Sequence, residues 1–167
     1  MEEAFKIIAQ EENGQYKANH TQYFGFSMSD FTATIHELNI EYKNHPIKIS
    51  YDFGHLNFAK IECQLSLKAY IPNFKITKKS HYWRLFNPKA NILKVSCNNI
   101  SFKNFLEEQL NSSQLEACSR AHLFEPTIQK KGKPLKILTE YGLGFDNKKE
   151  VIRPLIKLYK AIIDYSV

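Results

Sequence analysis

Histidines, cysteines and carboxylate pairs are the groups of this chain able to make and break bonds, and their spacing assembles no recognisable device. His20, His36, His45, His55, His81 and His122 form neither HExxH nor HxH, and no Cys/His grouping has metal-ligand spacing. The expectation is no metal site and no cofactor. Ser27, Ser50, Ser66, Ser96 and the other serines lack a GxSxG elbow. Cys63, Cys97 and Cys118 lie far apart with no CxxC pair and no catalytic neighbourhood in sequence. Glu2-Glu3, Glu11-Glu12 and Glu107-Glu108 are neighbours on expected helices, so they do not face a common cleft. Gly142-x-Gly144 is too short for a dinucleotide fingerprint, and Gly132-Lys133 lacks the upstream glycine of a phosphate-binding loop. No catalytic residue is expected.

Basic residues offer a different chemistry. Lys75, Lys78, Lys79 and Arg84 surround His81, Tyr82 and Trp83, and Lys130, Lys131, Lys133 and Lys136 crowd a second segment. Cations beside aromatic rings suit single-stranded nucleic acid. The rival reading turns Trp83, Leu85 and Phe86 inward and leaves the lysines to solubilise turns; no RNP, KH or helix-turn-helix pattern accompanies them. Lys and Arg number 23 against 17 Asp and Glu, a formal charge of +6 that also serves plain solubility.

The elements that must position these groups read mostly as strands. Ile47, Ile49, Tyr51 and Phe53 alternate with Lys48, Ser50 and Asp52, and after Gly54-His55 an apolar run resumes through Leu56, Phe58, Ile61, Cys63 and Leu65. Period-two alternation puts one face on a core and the other in water, as in antiparallel sheets. Residues 2–12 predict a short helix stopped by Asn13-Gly14. Tyr16 to Met28 and Phe31 to Tyr42 are β-favouring, and Lys43-Asn44-His45-Pro46 breaks the second run. Phe74 and Ile76, then Ile92, Leu93 and Val95, make short strands, and His81 to Phe86 fits one helical turn. Phe102, Phe105, Leu106 and Leu110 recur at helical spacing, and Ser112 or Ser113 is placed to cap a second helix through Ala121. Glu125–Gln129 and Leu135–Tyr141 predict a hairpin. Asp146 opens a last helix to about Asp164, in which Pro154 predicts a kink or a fresh start at Arg153. The fold class is α+β: a single antiparallel sheet, helices packed on one face and a long C-terminal helix, with residues 1–167 as one domain.

A chain of 167 residues with 12 Phe and 9 Tyr can bury a substantial core without staples. An odd number of dispersed cysteines fits a reducing compartment. The start, Met1-Glu2-Glu3-Ala4-Phe5, is unlike a signal peptide, and no apolar run reaches the roughly 20 residues that span a bilayer. A soluble, cytoplasmic protein is expected.

The order of segments resembles an uncharacterised family of bacterial α+β domains of unknown function, often attached to membrane helices. The resemblance rests on Tyr42-Lys43-Asn44-His45-Pro46-Ile47-Lys48-Ile49, Phe58-Ala59-Lys60-Ile61-Glu62-Cys63-Gln64-Leu65 and Pro72-Asn73-Phe74-Lys75-Ile76. Leu93-Lys94-Val95-Ser96 and Phe102-Lys103-Asn104-Phe105-Leu106 follow in the same order, so that residues 41–165 are covered. Where that family has Gly-Asp and Phe-Asp after its central strand, this chain has Cys97-Asn98-Asn99 and Phe102-Lys103, and it lacks the membrane helices. The resemblance implies a fold and no activity.

The function expected is non-enzymatic binding of another protein through an exposed sheet face or edge, with Tyr42, Lys48, Tyr51, Lys60 and Trp83 as contact residues. A second reading is a nucleic-acid or anionic-surface binder using Lys75, Lys78, Lys79, Arg84, Lys130, Lys131 and Lys133. It requires both lysine clusters to share one face. A third is a small-ligand carrier or enzyme with a cavity between sheet and helices.

Overall fold

The computed structural model describes residues 1–23, 31–66, 70–80, 82, 86–87, 90–132 and 135–166. Along them run α1 (Glu2–Glu11), β1 (Gln15–Tyr23), β2 (Phe31–Tyr42), β3 (His45–Phe53), β4 (Phe58–Gln64), β5 (Phe74–Lys78) and β6 (Leu93–Cys97). Then come α2 (Ile100–Ser112), α3 (Leu115–Ala121), β7 (Thr127–Lys131), β8 (Lys136–Gly142), a 3-10 turn (Lys148–Val151) and α4 (Ile152–Ser166). The eight strands form one sheet ordered β1-β2-β3-β4-β8-β7-β5-β6, with every neighbouring pair antiparallel. The α+β class holds.

Strands β1 to β4 form a meander whose turns follow from local chemistry. Lys43 and Asn44 both have positive φ, 49° and 61°, as a two-residue type I′ hairpin requires. The break expected over four residues therefore takes two: β3 starts at His45, and Pro46 pairs with Glu41 inside the ladder. Helix α1 stops where expected, with Asn13 left-handed at φ 50°. Gly14 lies so close to β2 that a Cβ there would sit 2.6 Å from the Asn39 carbonyl oxygen. Leu56 departs from expectation. It is 65% exposed in the β3–β4 turn, and Ala59, Ile61 and Cys63 supply the inward row of β4.

The hairpin β7–β8 forms as expected, but it inserts between β4 and β5 rather than closing an edge. Helix α2 is capped by Asn99, whose side chain accepts the Phe102 N–H at 2.8 Å. The expected serine cap of α3 is replaced by Gln114 in a left-handed conformation with no side-chain cap bond. Pro154 makes no kink. It falls in the first turn of α4, where a missing N–H costs nothing, and the helix starts afresh at Ile152. The stretch 24–30 and most of the expected turn at 81–86 lie outside the described residues. Among the described residues, no helix is long and apolar enough to cross a membrane.

The core lies between one face of the sheet and the helices. Ile47, Ile49, Ile61, Ile76, Ile128 and Ile137 meet Phe5 and Ile8 of α1, Phe102 and Leu106 of α2, and Leu155, Leu158 and Ile162 of α4. Tyr159 of α4 crosses this layer. Its hydroxyl donates to the Ile61 carbonyl at 2.9 Å and lies 2.8 Å from the Thr139 Oγ1, tying the helix to β4 and β8. Arg153 grips Glu11 through two N–H bonds of 2.9 and 2.8 Å, and Lys160 reaches Glu12, so α1 and α4 are clasped at the surface. Beneath α1, His36 stacks on Phe5 and its Nδ1 lies 2.6 Å from the Tyr16 hydroxyl. Burial pulls the His36 imidazole below its ordinary value.

Two outcomes follow from this packing. Tyr159→Phe leaves the Thr139 hydroxyl, 0% exposed, short of a partner, and urea unfolding should register a loss of about 1–3 kcal/mol. Adding Thr139→Val should return part of it, because removing both polar groups removes the unsatisfied one. For His36 the unfolded chain binds its proton more readily than the folded one. Stability should thus be full above the unfolded value of about 6.5 and decline as pH falls below it. Unfolding at pH values either side of that point should show a smaller decline in His36→Gln than in the parent chain.

Candidate recognition face

The alternation that drives one side of each strand into the core drives the other side out, and the helices pack on the inner side alone among the described residues. Among the described residues the outer side carries no helix and is largely polar, with Ile35, Phe58 and Leu138 set among its charges. One row across it reads Lys17, Glu37, Ser50, Lys60, Glu140, Thr127, Thr77, Lys94 from β1 to β6. The next row reads Gln15, Asn39, Lys48, Glu62, Leu138, Gln129, Lys75, Ser96.

Charges on the β2–β4 part of this face are paired, across strands for Lys48 and along β4 for Lys60. Lys48 Nζ lies 2.8 Å from Glu37, Lys60 lies 2.9 Å from Glu62, and Lys136 of β8 reaches the same Glu62 carboxylate at 3.5 Å. The Lys60 hydrogen bond, aided by the charges of Lys60 and Lys136, holds the Glu62 carboxyl below its usual range against partial burial. A depression of about 380 Å³ opens here beside Asn39, Lys48, Glu62, Gln64 and Lys136. A smaller one of about 150 Å³, between Glu37, Ser50 and Lys60, shares Lys48 and Glu62 with it. The arrangement can accept hydrogen-bonding and charged groups from outside, and it holds no activated nucleophile.

The sequence-derived contact residues separate on this frame. Lys48 and Lys60 stand together on the open face. Tyr51 does not: it is 0% exposed, its hydroxyl is bonded to that of Tyr141, and its ring meets Phe5 edge-on, so it belongs to the core. Its odd position in β3, in step with Ile47 and Ile49, is the signal that assigns it inward. Tyr42 also turns to the helix side, where its hydroxyl donates to Asp164 at 3.1 Å and Lys160 stands 5.2 Å from its ring centre. Trp83, Arg84 and Lys133 lie outside the described residues.

Among the described residues each lysine cluster is split between the two faces, because neighbouring strand residues point to opposite sides. Lys75 and Lys131 are on the open face. Lys78 and Lys130 turn to the helix side, donating to the carbonyls of His122 at 3.3 Å and Ile71 at 2.5 Å. Lys79 lies just past β5, its backbone N–H donating to Ile92. Lys94, absent from the sequence-derived set, joins Lys75 through the β5–β6 register.

One grouping invisible in the sequence is Cys118, His122 and Glu150. His122 follows Cys118 by one turn of α3, and its Nε2 lies 3.1 Å from the Glu150 carboxylate, while the Cys118 thiol faces the Glu150 carbonyl oxygen at 3.8 Å. The residue types are those of a thiol protease, yet burial, reinforced by the Glu150 charge, pushes the Cys118 thiol up. That direction favours the thiol over the nucleophilic thiolate. Among the described residues no group of three or more His, Cys, Asp or Glu could hold a metal ion.

Compared with known proteins, the chain matches no family model, no curated protein and no solved structure.

Alkylation tests the inert reading of the thiols. Burial pushes Cys63 up to about 12. At neutral pH, iodoacetamide should label Cys63 and Cys118 more slowly than free cysteine, with Cys118→Ser assigning its share of the signal. Rapid labelling of Cys118 would show an activated nucleophile and reopen catalysis.

Proposed function

We propose that this protein is a non-enzymatic binding module whose open sheet face recognises another protein. The observation that carries the reading is the one-sided cover of the sheet. Eight strands present a largely polar face, with ion pairs around Lys48, Lys60 and Glu62. A face of this kind suits a partner that replaces part of the hydration shell and inserts its own charges between existing ones. The interior does not compete as a ligand site at the sheet centre, because Tyr51, Tyr159, Phe5 and Leu38 fill that layer at 0% exposure. The nucleic-acid reading loses support from the split lysine clusters, since Lys78 of one and Lys130 of the other are turned to the helices.

The test is affinity capture from native lysate with the tagged chain, compared with Lys48→Glu/Lys60→Glu and washed at low and high salt. A protein retained by the parent chain and released by the double reversal supports the reading. Equal retention by both chains would place the contact elsewhere. Recovery of nucleic acid only at low salt would favour phosphate binding instead.

A further inference from the structure

The open face is uneven in charge. Lys48 and Lys60 are matched by Glu37 and Glu62. Toward β6 the balance fails: Lys94, Lys75 and Lys131 have no ion pair among the described residues.

The strand register arranges them in a line. Lys94 stands opposite Thr77 and so diagonal to Lys75, and Lys75 stands opposite Gln129 and so diagonal to Lys131. Lys131 then stands directly opposite Lys136. Diagonal neighbours in an antiparallel ladder are about 7–8 Å apart and direct ones about 5 Å, so the line is about 20 Å long. Like charges placed directly opposite repel, and Lys131 has no carboxylate among the described residues to offset this. Two depressions adjoin the line, one at the Lys136 end and one at Lys75, next to the other end. Lys136 lines the depression it shares with Lys48 and Glu62, and Lys75 lines another of about 300 Å³ with Ser96 and Asn98.

We propose that this diagonal of lysines binds an extended acidic segment of the protein partner, with carboxylates at alternate positions. The proposal rests on the binding-module reading and names the chemistry of the partner. Alternate residues of an extended chain are about 6.6 Å apart, close to the lysine step, and about six residues cover the line. Thr77, Gln129 and Ser96 lie between the lysines and offer hydrogen bonds to its backbone. Single-stranded nucleic acid, the other flexible polyanion, binds by stacking bases on aromatic rings. Neither the lysines nor these intervening positions supply a ring.

Fluorescence anisotropy on the full chain tests this with two labelled probes of matched charge, a peptide of alternating glutamate and serine and an oligothymidylate. The peptide should bind the parent chain and weaken as salt rises. It should bind Lys75→Glu/Lys94→Glu/Lys131→Glu about tenfold less tightly or worse, the scale expected for three exposed ion pairs. A second triple variant to glutamine guards against misfolding of the first and should weaken binding in the same direction. No peptide binding, unchanged binding by both triple variants, or tighter binding of the oligothymidylate overturns the assignment. If it fails while Lys48→Glu/Lys60→Glu still releases a captured protein, the lysine diagonal alone is wrong and the open-face reading stands.

Discussion

Everything in this fold depends on covering one face of a wide antiparallel sheet. Strands β2 to β8 present apolar residues at alternate positions, and side by side these make a surface that water cannot be left to cover. Helix α4 is the main cover at the sheet's centre. Ile152, Leu155, Ile156, Leu158, Tyr159, Ile162 and Ile163 are all buried in it, each removal from water contributing about 1.5–3 kcal/mol at most. Apolar contact alone leaves a helix free to slide. The Tyr159 hydroxyl between Ile61 and Thr139 fixes its height above the sheet, and the grip of Arg153 on Glu11 fixes it against α1.

The same economy explains buried polar groups that could be mistaken for a site. Glu116 is almost wholly buried, and its carboxylate accepts the backbone N–H groups of Ile92 and Leu93. It joins α3 to the start of β6, with Arg120 at 3.7 Å balancing its charge. His45 donates from Nδ1 to the Lys43 carbonyl at 2.7 Å and so braces the tight β2–β3 turn. Cys118, His122 and Glu150 meet because α3 packs against the turn before α4. These contacts hold elements together.

Covering one face leaves the other to water, and insertion of β7–β8 between β4 and β5 determines what that face contains. The insertion puts Lys136 and Lys131 between the paired charges of β4 and the lysines of β5 and β6. A sheet built from the meander and an isolated β5–β6 pair would have neither the lysine diagonal nor the depression beside Lys136. The charge map of the open face is therefore a product of long-range pairing.

Much of the frame was legible in the sequence, because it is written in local periodicity. Alternation in Ile47–Phe53 placed β3 and its two faces, helical spacing of Phe102, Leu106 and Leu110 placed α2, and the stripe Leu155–Leu158–Ile162 placed the terminal helix. These patterns report only how a segment divides between water and core, so Lys48 and Lys60 were found on the open face. Tyr51, expected as a contact residue for its ring and hydroxyl, is turned inward by the same alternation. Tertiary structure alone decided which strands are neighbours. No local pattern tells β8 to pair with β4, brings Glu150 to His122, or sets Lys94, Lys75, Lys131 and Lys136 in one line. Their proximity depends on ladder registers between segments distant in the chain, and those are chosen by the packing of the whole sheet.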